Sequence, residues 1–342
     1  MKAIQIKKHG DPSILKCSEI EQPSCPKDKI KVKIKASSIN HLDLWVRNGI
    51  PGLDLPLPLI LGSDGSGVVV EVGSQVSSNI CVNDEVVIQP GTYSKNCKMA
   101  ISGKENFSKT YGILGETENG LQAEYVVLNP VNIFPKPSRL SFAESASMPL
   151  VFMTSYQMIV ERSKLLSDEI VLIYGATSGI GMAAIQIAKD IGSKVIATVG
   201  NKNKINYAEE LGADYVINHN NCDMVKEVKK IAPNGVNVVF EHIGPDTWSN
   251  SLKVLSIGGR IVTCGATTGN NVSIDLRHLF MKQQTILGST MGSVNTFKRV
   301  LSKINDGIYI PFIDRIYNFK DIQKAHLRME NRKHFGKIIV EP

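Results

Sequence analysis

Three glycines, Gly175, Gly179 and Gly181, lie between two apolar runs of the sequence. The run before them, residues 171–174, predicts a buried parallel strand, and the run after them predicts a buried helix. A glycine turn lets the backbone come close to a pyrophosphate, which the N–H groups and partial positive charge at the start of the helix can bind. The turn therefore predicts dinucleotide binding, although glycines also occur at turns for purely steric reasons.

The segment after the next predicted strand indicates which dinucleotide binds. This strand, residues 194–198, is followed by VGNKNK, which contains Asn201, Lys202 and Lys204 and no acidic residue. A site for NAD usually presents an acid about 20 residues after the first glycine, where it binds the ribose hydroxyls, whereas a 2′-phosphate needs cations and small polar donors. The segment therefore predicts NADPH, and the alternative is that these lysines are only solvated.

The remaining pattern predicts two domains of an α/β protein. From residue 141 to residue 264, short β-branched runs alternate with helices, which is typical of a doubly wound parallel sheet. Before residue 141 the chain is rich in strands and shows no helical period of useful length, so an antiparallel, partly barrel-like domain is expected. The predicted dinucleotide-binding domain is residues 152–290, and residues 1–151 and 291–342 form the other domain.

Composition and charge exclude several other classes. The 342 residues are 42% hydrophobic, and the net charge of +7 comes from lysines interleaved with acids or alternating along strands, which favours a solvated surface over nucleic-acid binding. No signal peptide and no apolar run long enough to cross a bilayer is present, so a cytoplasmic protein is expected. The cysteines form no C-x-x-C pair, which argues against a disulfide framework and a thiolate metal site.

Several motifs in register resemble the medium-chain dehydrogenase/reductase superfamily. They include NHLDLWVRNG, LGSDGSGVVVEVGSQV, GATSGIGMAAIQIAK, GGRIVTCGATTG and the terminal FGKIIV. The chain is most similar to the zinc-type quinone oxidoreductase branch and to the archaeal-type acryloyl-coenzyme A reductases. This resemblance implies a Rossmann dinucleotide-binding domain, a β-rich GroES-like catalytic domain, and a homodimer or homotetramer that pairs through the cofactor domain.

The zinc ligands of these relatives are missing from this sequence. The four cysteines of their structural zinc site align with Ser94, Cys97, Ala100 and Ser108. The ligands of their catalytic zinc and the acid beside them align with Asn40, Ser63, Asp64 and Leu150. One thiolate and one carboxylate cannot build either site, so a zinc-free enzyme is expected. About one bound zinc per chain, by elemental analysis of chelator-washed protein, would contradict this expectation.

A zinc-free member of this superfamily implies a particular reaction. Without the metal that acidifies an alcohol, the hydride is expected to reach a carbon made electrophilic by a conjugated carbonyl group. Asn40 is the candidate donor to that carbonyl, because zinc-free quinone oxidoreductases carry asparagine there. Asp43, Arg47 and Asp64 are further catalytic candidates. Structural alternatives stand beside them, since Asp43 could brace a loop and Arg47 could be a surface or interface cation.

The resemblance also implies the cofactor contacts. Lys204 matches the lysine that binds the 2′-phosphate, and His219 replaces an assisting tyrosine. The other expected contacts of the cofactor are Thr154, Ser178, Gly179, Ile180, Gly181, Asn201, Ile243, Ala266, Thr290 and Lys337. Of these, Lys337 is expected beside the pyrophosphate.

Three hypotheses of function follow. The first is an NADPH-dependent reductase of an activated C=C bond, with a short 2-enoyl-coenzyme A such as acryloyl-coenzyme A as substrate and quinones or enones as rivals. The second is a non-enzymatic NADPH- or RNA-binding relative. The third, a short-chain dehydrogenase, is set aside because no Y-x-x-x-K follows Gly181. The expected partner is thus a small molecule, with no membrane or nucleic acid.

Overall fold

The polypeptide of the computed structural model, which describes every residue from Met1 to Pro342, divides into two units. Unit one comprises Met1–Leu150, Ser293–Asp306 and Ile310–Pro342. Unit two comprises Val151–Gly292 and Gly307–Tyr309. None of the helices is both long and apolar enough to cross a membrane.

The first part of unit one consists mainly of strands. The strands are β1 (Lys2–Ile6), β2 (Cys17–Glu19), β3 (Ile30–Ile39), β4 (Leu59–Ile60), β5 (Asp64–Val72), β6 (Glu85–Ile88), β7 (Gly91–Thr92), β8 (Gly112–Ile113), β9 (Tyr125–Leu128) and β10 (Ile133–Pro135). The helices are α1 (His41–Asn48), α2 (Lys98–Ile101) and α3 (Phe142–Ala146). Along β3 only Lys33 and Lys35 are exposed, while Ile30, Val32 and Ile34 lie in an apolar core that β5, β6 and β9 share.

Unit two alternates strands and helices. After α4 (Pro149–Tyr156) and a π-helical turn (Gln157–Arg162), the elements are β11 (Ile170–Ile173), α5 (Gly179–Ile191), β12 (Lys194–Val199), α6 (Ile205–Glu210), β13 (Tyr215–Asn218), α7 (Met224–Ile231), β14 (Val236–Glu241), α8 (Pro245–Val254), β15 (Leu255–Thr263), α9 (Leu276–Met281) and β16 (Thr285–Gly288). The six strands form one parallel sheet in the order β13-β12-β11-β14-β15-β16. This order confirms the predicted doubly wound sheet.

The last part of the chain supplies α10 (Val294–Asn305), β17 (Ile313–Asn318), α11 (Ile322–Glu330) and β18 (Lys337–Glu341) to unit one. There β18 pairs antiparallel with β3 and parallel with β17. The resulting seven-stranded sheet runs β10-β6-β5-β3-β18-β17, with β9 also paired to β3. The strand-rich domain expected from the sequence is therefore confirmed.

The sequence shows no helical period of useful length before residue 141, yet helix α1 spans His41–Asn48. Eight residues make little more than two turns, which is too short for a clear apolar period. The helix starts where the carboxylate of Asp43 accepts the backbone N–H of Asn40 at 2.7 Å, half of a capping box. Asn40 thereby stands at the junction of β3 and α1.

Candidate functional site

A buried ion pair lies at one edge of the unit-one sheet. Antiparallel pairing brings the carboxyl end of β3 between the amino ends of β5 and β18, with Ser38 opposite Asp64. Asp64 begins β5 and Lys337 begins β18, and the Lys337 Nζ lies 3.0 Å from the Asp64 Oδ2. Their side chains are only 0% and 3% exposed, so this pair is shielded from solvent.

The carboxylate of Asp64 is fully hydrogen-bonded. Its Oδ2 accepts the Nδ2 of Asn40 at 2.9 Å and the hydroxyl of Ser38 at 3.1 Å, and its Oδ1 accepts the backbone N–H of Leu150 at 2.8 Å. The Lys337 Nζ also donates to the Oδ1 of Asn40. A buried ion pair is tolerable only with such additional bonds. The network therefore fixes both ends of the Asn40 amide.

The residues at this place do not fit a zinc ion. Asn40, Asp64 and the backbone of Leu150 meet there, and the cation among them is the ammonium of Lys337. No three His, Cys, Asp or Glu side chains form a group that could hold a metal. At the other aligned site, the Cys97 thiol instead bonds the hydroxyl of Ser108 at 3.3 Å. Zinc-free function remains a prediction for elemental analysis to test.

Asp43 lies beside Asn40, and its bonds are those of a bracing residue. Besides the N–H of Asn40, its carboxylate accepts the N–H of Gly62 at 2.8 Å, which ties the start of α1 to the segment before β5. Burial raises the pKa of Asp43 to about 6. A catalytic role for this carboxyl group remains a prediction.

Arg47, at the last turn of α1, faces residues other than the Asn40–Asp64–Lys337 network. Its fully buried guanidinium donates to the carbonyl of Gly10 at 3.0 Å, to Glu330 and to the Nδ1 of His326 at 3.2 Å. These bonds join α1 to α11 within unit one. The Arg47 side chain is 1% exposed, so Arg47 is not the surface cation that was the alternative to a catalytic role. Its bonds indicate a structural role within unit one, and a catalytic role for Arg47 remains a prediction.

The His326 pair with Arg47 leads to an expected pH dependence. Burial, and then the charge of Arg47, lower the pKa of His326 to about 3, so the imidazole is neutral in the fold. The unfolded chain takes up that proton near pH 6.5. The contribution of neutral His326 to stability is thus complete above pH 6.5 and is lost as the pH falls towards 3. On the order of 2–3 kcal/mol should disappear between pH 6.5 and 4.5.

Denaturant unfolding at several pH values measures this effect. The matched control is His326→Asn, which offers Arg47 a neutral acceptor that cannot take up a proton in this range. The difference in unfolding free energy between the wild type and the variant should change with pH in the stated direction. Parallel pH profiles for the two proteins would contradict the assignment.

In unit two, the glycine turn has the shape that a pyrophosphate needs. Gly175 has a φ of +62°, and a Cβ on Gly181 would lie 2.2 Å from the carbonyl oxygen of Gly175. The Ser178 hydroxyl caps α5 by accepting the N–H of Gly181 at 3.0 Å. The first N–H groups of α5, from Gly179 and Ile180, have no carbonyl partner within the helix. The turn therefore fits the pyrophosphate of a dinucleotide.

The residues expected at the ribose lie together at the ends of β12 and β13. Asn201 caps the 3-10 turn Lys202–Lys204 by accepting the N–H of Asn203 at 3.0 Å. Asn220 donates to the carbonyl of Gly200 at 2.7 Å, and the N–H of His219 donates to Val199 at 3.1 Å. The two loops are thus joined, and their contacts with a cofactor remain a prediction.

The residues expected at the nicotinamide also follow the carboxyl ends of parallel strands, which is where open α/β sheets bind ligands. Ile243 follows β14, Ala266 follows β15 and Thr290 follows β16. The N–H of Thr268 donates to the carbonyl of Ile243 at 2.8 Å and joins the first two loops. Thr154, on α4, lies 3.8 Å from the sulfur of Met291.

The position of Lys337 is the main feature that sequence reasoning missed. The family resemblance implies a place beside the pyrophosphate, whereas the ammonium of Lys337 donates to Asp64 and Asn40. Ser38, which completes the bonds of Asp64, was also missed. A cofactor contact of Lys337 remains a prediction. The sequence does contain one signal for this ion pair. The place of the relatives' catalytic zinc has lost its ligands but keeps the carboxylate of Asp64, and burial of that carboxylate favours a cation beside it.

Comparisons with known proteins agree with this architecture. Residues 26–138 match the family model of the alcohol dehydrogenase GroES-like domain, and residues 179–306 match that of the zinc-binding dehydrogenases. The crotonyl-CoA carboxylase/reductase of Cereibacter sphaeroides is 29% identical over 97% of this chain and 84% of its own length. Quinone oxidoreductase 1 of Escherichia coli K12 is 29% identical over 99% of both chains.

A solved structure extends the similarity. A protein described as an NAD-dependent alcohol dehydrogenase has a TM-score of 0.96 and 38% identity, with 100% of both chains covered. Unit one is accordingly a GroES-like domain and unit two a Rossmann domain. From these matches, the chain belongs to the medium-chain dehydrogenase/reductase superfamily of oxidoreductases, in its zinc-type quinone oxidoreductase branch.

Proposed function

We propose that this chain is an NADPH-dependent reductase of an activated C=C bond, with a short 2-enoyl-coenzyme A, such as acryloyl-coenzyme A, as substrate. The observation that carries the proposal is the buried Asn40–Asp64–Lys337 network, which holds an ammonium group at the position that the family resemblance implies for the catalytic zinc of zinc-carrying relatives. Oxidation of an alcohol needs a Lewis acid to stabilise the alkoxide, whereas reduction of a conjugated C=C bond needs a hydrogen-bond donor to the carbonyl.

Asn40 is suited to be that donor. Its Nδ2 gives one hydrogen to Asp64, while its Oδ1 accepts from Lys337, so the second Nδ2 hydrogen has a fixed direction. As hydride adds to the β-carbon, negative charge grows on the carbonyl oxygen, and a fixed donor stabilises it. Bound NADPH supplies the hydride. The α-carbon then takes up a proton, and we propose water as its source because no residue is assigned as its donor.

The side-by-side assay is oxidation of NADPH with acryloyl-coenzyme A, crotonyl-coenzyme A and a benzoquinone, with a primary alcohol and NADP⁺ as a further arm. The highest kcat/KM is expected with an enoyl-coenzyme A. The highest value with the quinone would favour the quinone oxidoreductase alternative, which the 29% identical relative supports. Alcohol oxidation as the main activity would overturn the proposal. NADPH binding without turnover of any substrate would favour a non-enzymatic role.

The preference for NADPH rests on the loop after β12. It offers Lys204 and Asn201 to a 2′-phosphate and no carboxylate to the ribose hydroxyls. The 38% identical structure is described as NAD-dependent, so the preference is a property to be tested in this chain. Lys204→Ala should lower kcat/KM for NADPH by about 10- to 100-fold, the effect of one charge-assisted hydrogen bond.

The same variant should leave the weaker activity with NADH almost unchanged, since NADH lacks the phosphate. Lys229→Ala, which removes an exposed lysine on α7, is the matched control and should change neither value. Initial rates with both cofactors measure the effect. Comparable kcat/KM for NADPH and NADH in the wild type would defeat the NADPH assignment.

A homo-oligomer is proposed from an apolar patch on unit two. Ile257, Leu276, Phe280 and Met281 are each at least 66% exposed, near the edge strand β16. The N–H of Gly258 donates to the carbonyl of Lys282 at 2.8 Å, which joins the start of β15, where Ile257 lies, to the end of α9. A standard interface buries roughly 800 Å² on each partner, and these four exposed apolar side chains would supply part of that area.

Both the patch and the unpaired edge can pair with their own copies across a two-fold axis. The wild type should therefore have the mass of a dimer, or of a tetramer built from dimers, by light scattering. Phe280→Glu combined with Met281→Glu should shift it towards the monomer. A monomeric wild type at micromolar concentration would refute this assembly.

A further inference from the structure

Unit two contains a second buried carboxylate, that of Glu241, the last residue of β14. Its Oε1 accepts the backbone N–H groups of Ile243 at 2.6 Å and Gly244 at 3.2 Å. Its Oε2 accepts the hydroxyls of Thr247 and Ser251, both at 2.9 Å. The carboxylate thus holds the start of α8 and the loop that leads into it.

Glu241 lies at the point where the strand order of the sheet reverses. The first strand, β11, has β12 on one side and β14 on the other. Ligands of doubly wound sheets bind in the crevice outside the carboxyl ends of these strands. The glycine turn follows β11, and a Cβ on Gly175 would lie 3.3 Å from the Cε1 of His242, the residue after Glu241. Glu241 is therefore next to the turn that fits the cofactor.

All four donors to Glu241 are neutral. They are two peptide N–H groups and two hydroxyls, and no lysine or arginine is among them. Four hydrogen bonds stabilise a carboxylate without cancelling its charge. In this respect Glu241 differs from Asp64, whose charge Lys337 neutralises. The carboxylate of Glu241 therefore has no cation among its hydrogen-bond partners.

We infer that Glu241 is a positioning residue that holds the Ile243–Gly244 loop against the nicotinamide and favours binding of the oxidised cofactor. The inference rests on the proposed binding of NADP(H). The oxidised nicotinamide ring is a cation and the reduced ring is neutral, so a nearby fixed negative charge stabilises only the oxidised form. A unit charge about 10 Å away at an effective dielectric constant of about 20 changes a dissociation constant on the order of tenfold.

Two substitutions separate the charge from the hydrogen bonds. In Glu241→Gln the side-chain oxygen can still accept both N–H groups, and the new amide can donate to the Thr247 and Ser251 hydroxyls after they rotate. This variant removes the charge and keeps the shape. Glu241→Asp keeps the charge and shortens the reach, so it loosens the loop instead.

The experiment is titration of the whole protein with NADP⁺ and with NADPH, followed by nicotinamide or protein fluorescence. The Kd ratio of NADP⁺ to NADPH should rise about tenfold in Glu241→Gln. It should stay within about twofold of the wild-type ratio in Glu241→Asp, even where both Kd values increase. An unchanged ratio in Glu241→Gln, or an equal shift in Glu241→Asp, would overturn the inference and leave the proposed function intact. Absence of binding of either nucleotide to the wild type would overturn both.

Discussion

Replacing Lys337 with methionine is expected to lower the free energy of unfolding by about 3–5 kcal/mol, the usual cost of leaving one partner of a buried ion pair alone. The Asp64 side chain is 0% exposed and accepts the Lys337 Nζ at 3.0 Å. Ser38, Asn40 and Leu150 would still donate to it, but none of them carries a charge. Methionine fills a similar volume, so little of the loss comes from a cavity. Denaturant unfolding near pH 7 measures it.

A double-mutant cycle tests the cause. Asp64→Asn removes the charge that Lys337 balances. The double variant Asp64→Asn with Lys337→Met should recover much of the stability lost in Lys337→Met, because a neutral amide and an apolar side chain leave no isolated buried charge. Additive losses would show that the two side chains act independently. If Lys337→Met weakened only NADPH binding and left stability unchanged, the sequence-based assignment of Lys337 to the pyrophosphate would be favoured over the structural one.

The contrast between Lys337 and the glycine turn shows what the sequence could predict. The strand, the turn and the helix from 170 to 191 are contiguous, and the signals for each element lie within a few residues. The parallel sheet followed from repetition of that pattern. Asp64 and Lys337 are 273 positions apart, and they meet only because β18 returns to pair with β3. That pairing is a property of the whole sheet.

Asp43 and Glu241 have structural roles that the sequence indicates only in part or not at all. The spacing of Asn40 and Asp43 matches a capping box, which is a signal for the start of α1. The structural role expected of Asp43 from the sequence was only to brace a loop, because no helix was predicted beside it. The buried carboxylate of Glu241 accepts a hydrogen bond from Ser251, ten residues later on α8. A single strand-ending glutamate gives no signal of that contact. Local sequence patterns therefore predict the helices and strands. Contacts between residues far apart in the sequence determine which buried charges have an ion-pair partner.

Replacing Asn40 with alanine is expected to lower kcat for reduction of the enoyl-coenzyme A by about 100-fold or more, the usual effect of losing one fixed donor to a developing oxyanion. Asn40 is the one member of the Asp64 network proposed to donate to the substrate, through its second Nδ2 hydrogen. The Kd for NADPH should change little, since the glycine turn belongs to unit two. Stopped-flow single turnover at saturating NADPH separates the hydride step from cofactor binding.

The matched control is Ser38→Ala, because Ser38 also donates to Asp64, at 3.1 Å, and has no proposed contact with the substrate. If Asn40 acted only by keeping Asp64 hydrogen-bonded, the two variants should lose similar amounts of stability and of kcat. If Asn40 is the donor to the carbonyl, Asn40→Ala should lose far more kcat than Ser38→Ala for a comparable loss of stability. Wild-type turnover by Asn40→Ala would remove this residue from the mechanism, and the carbonyl would then need another donor.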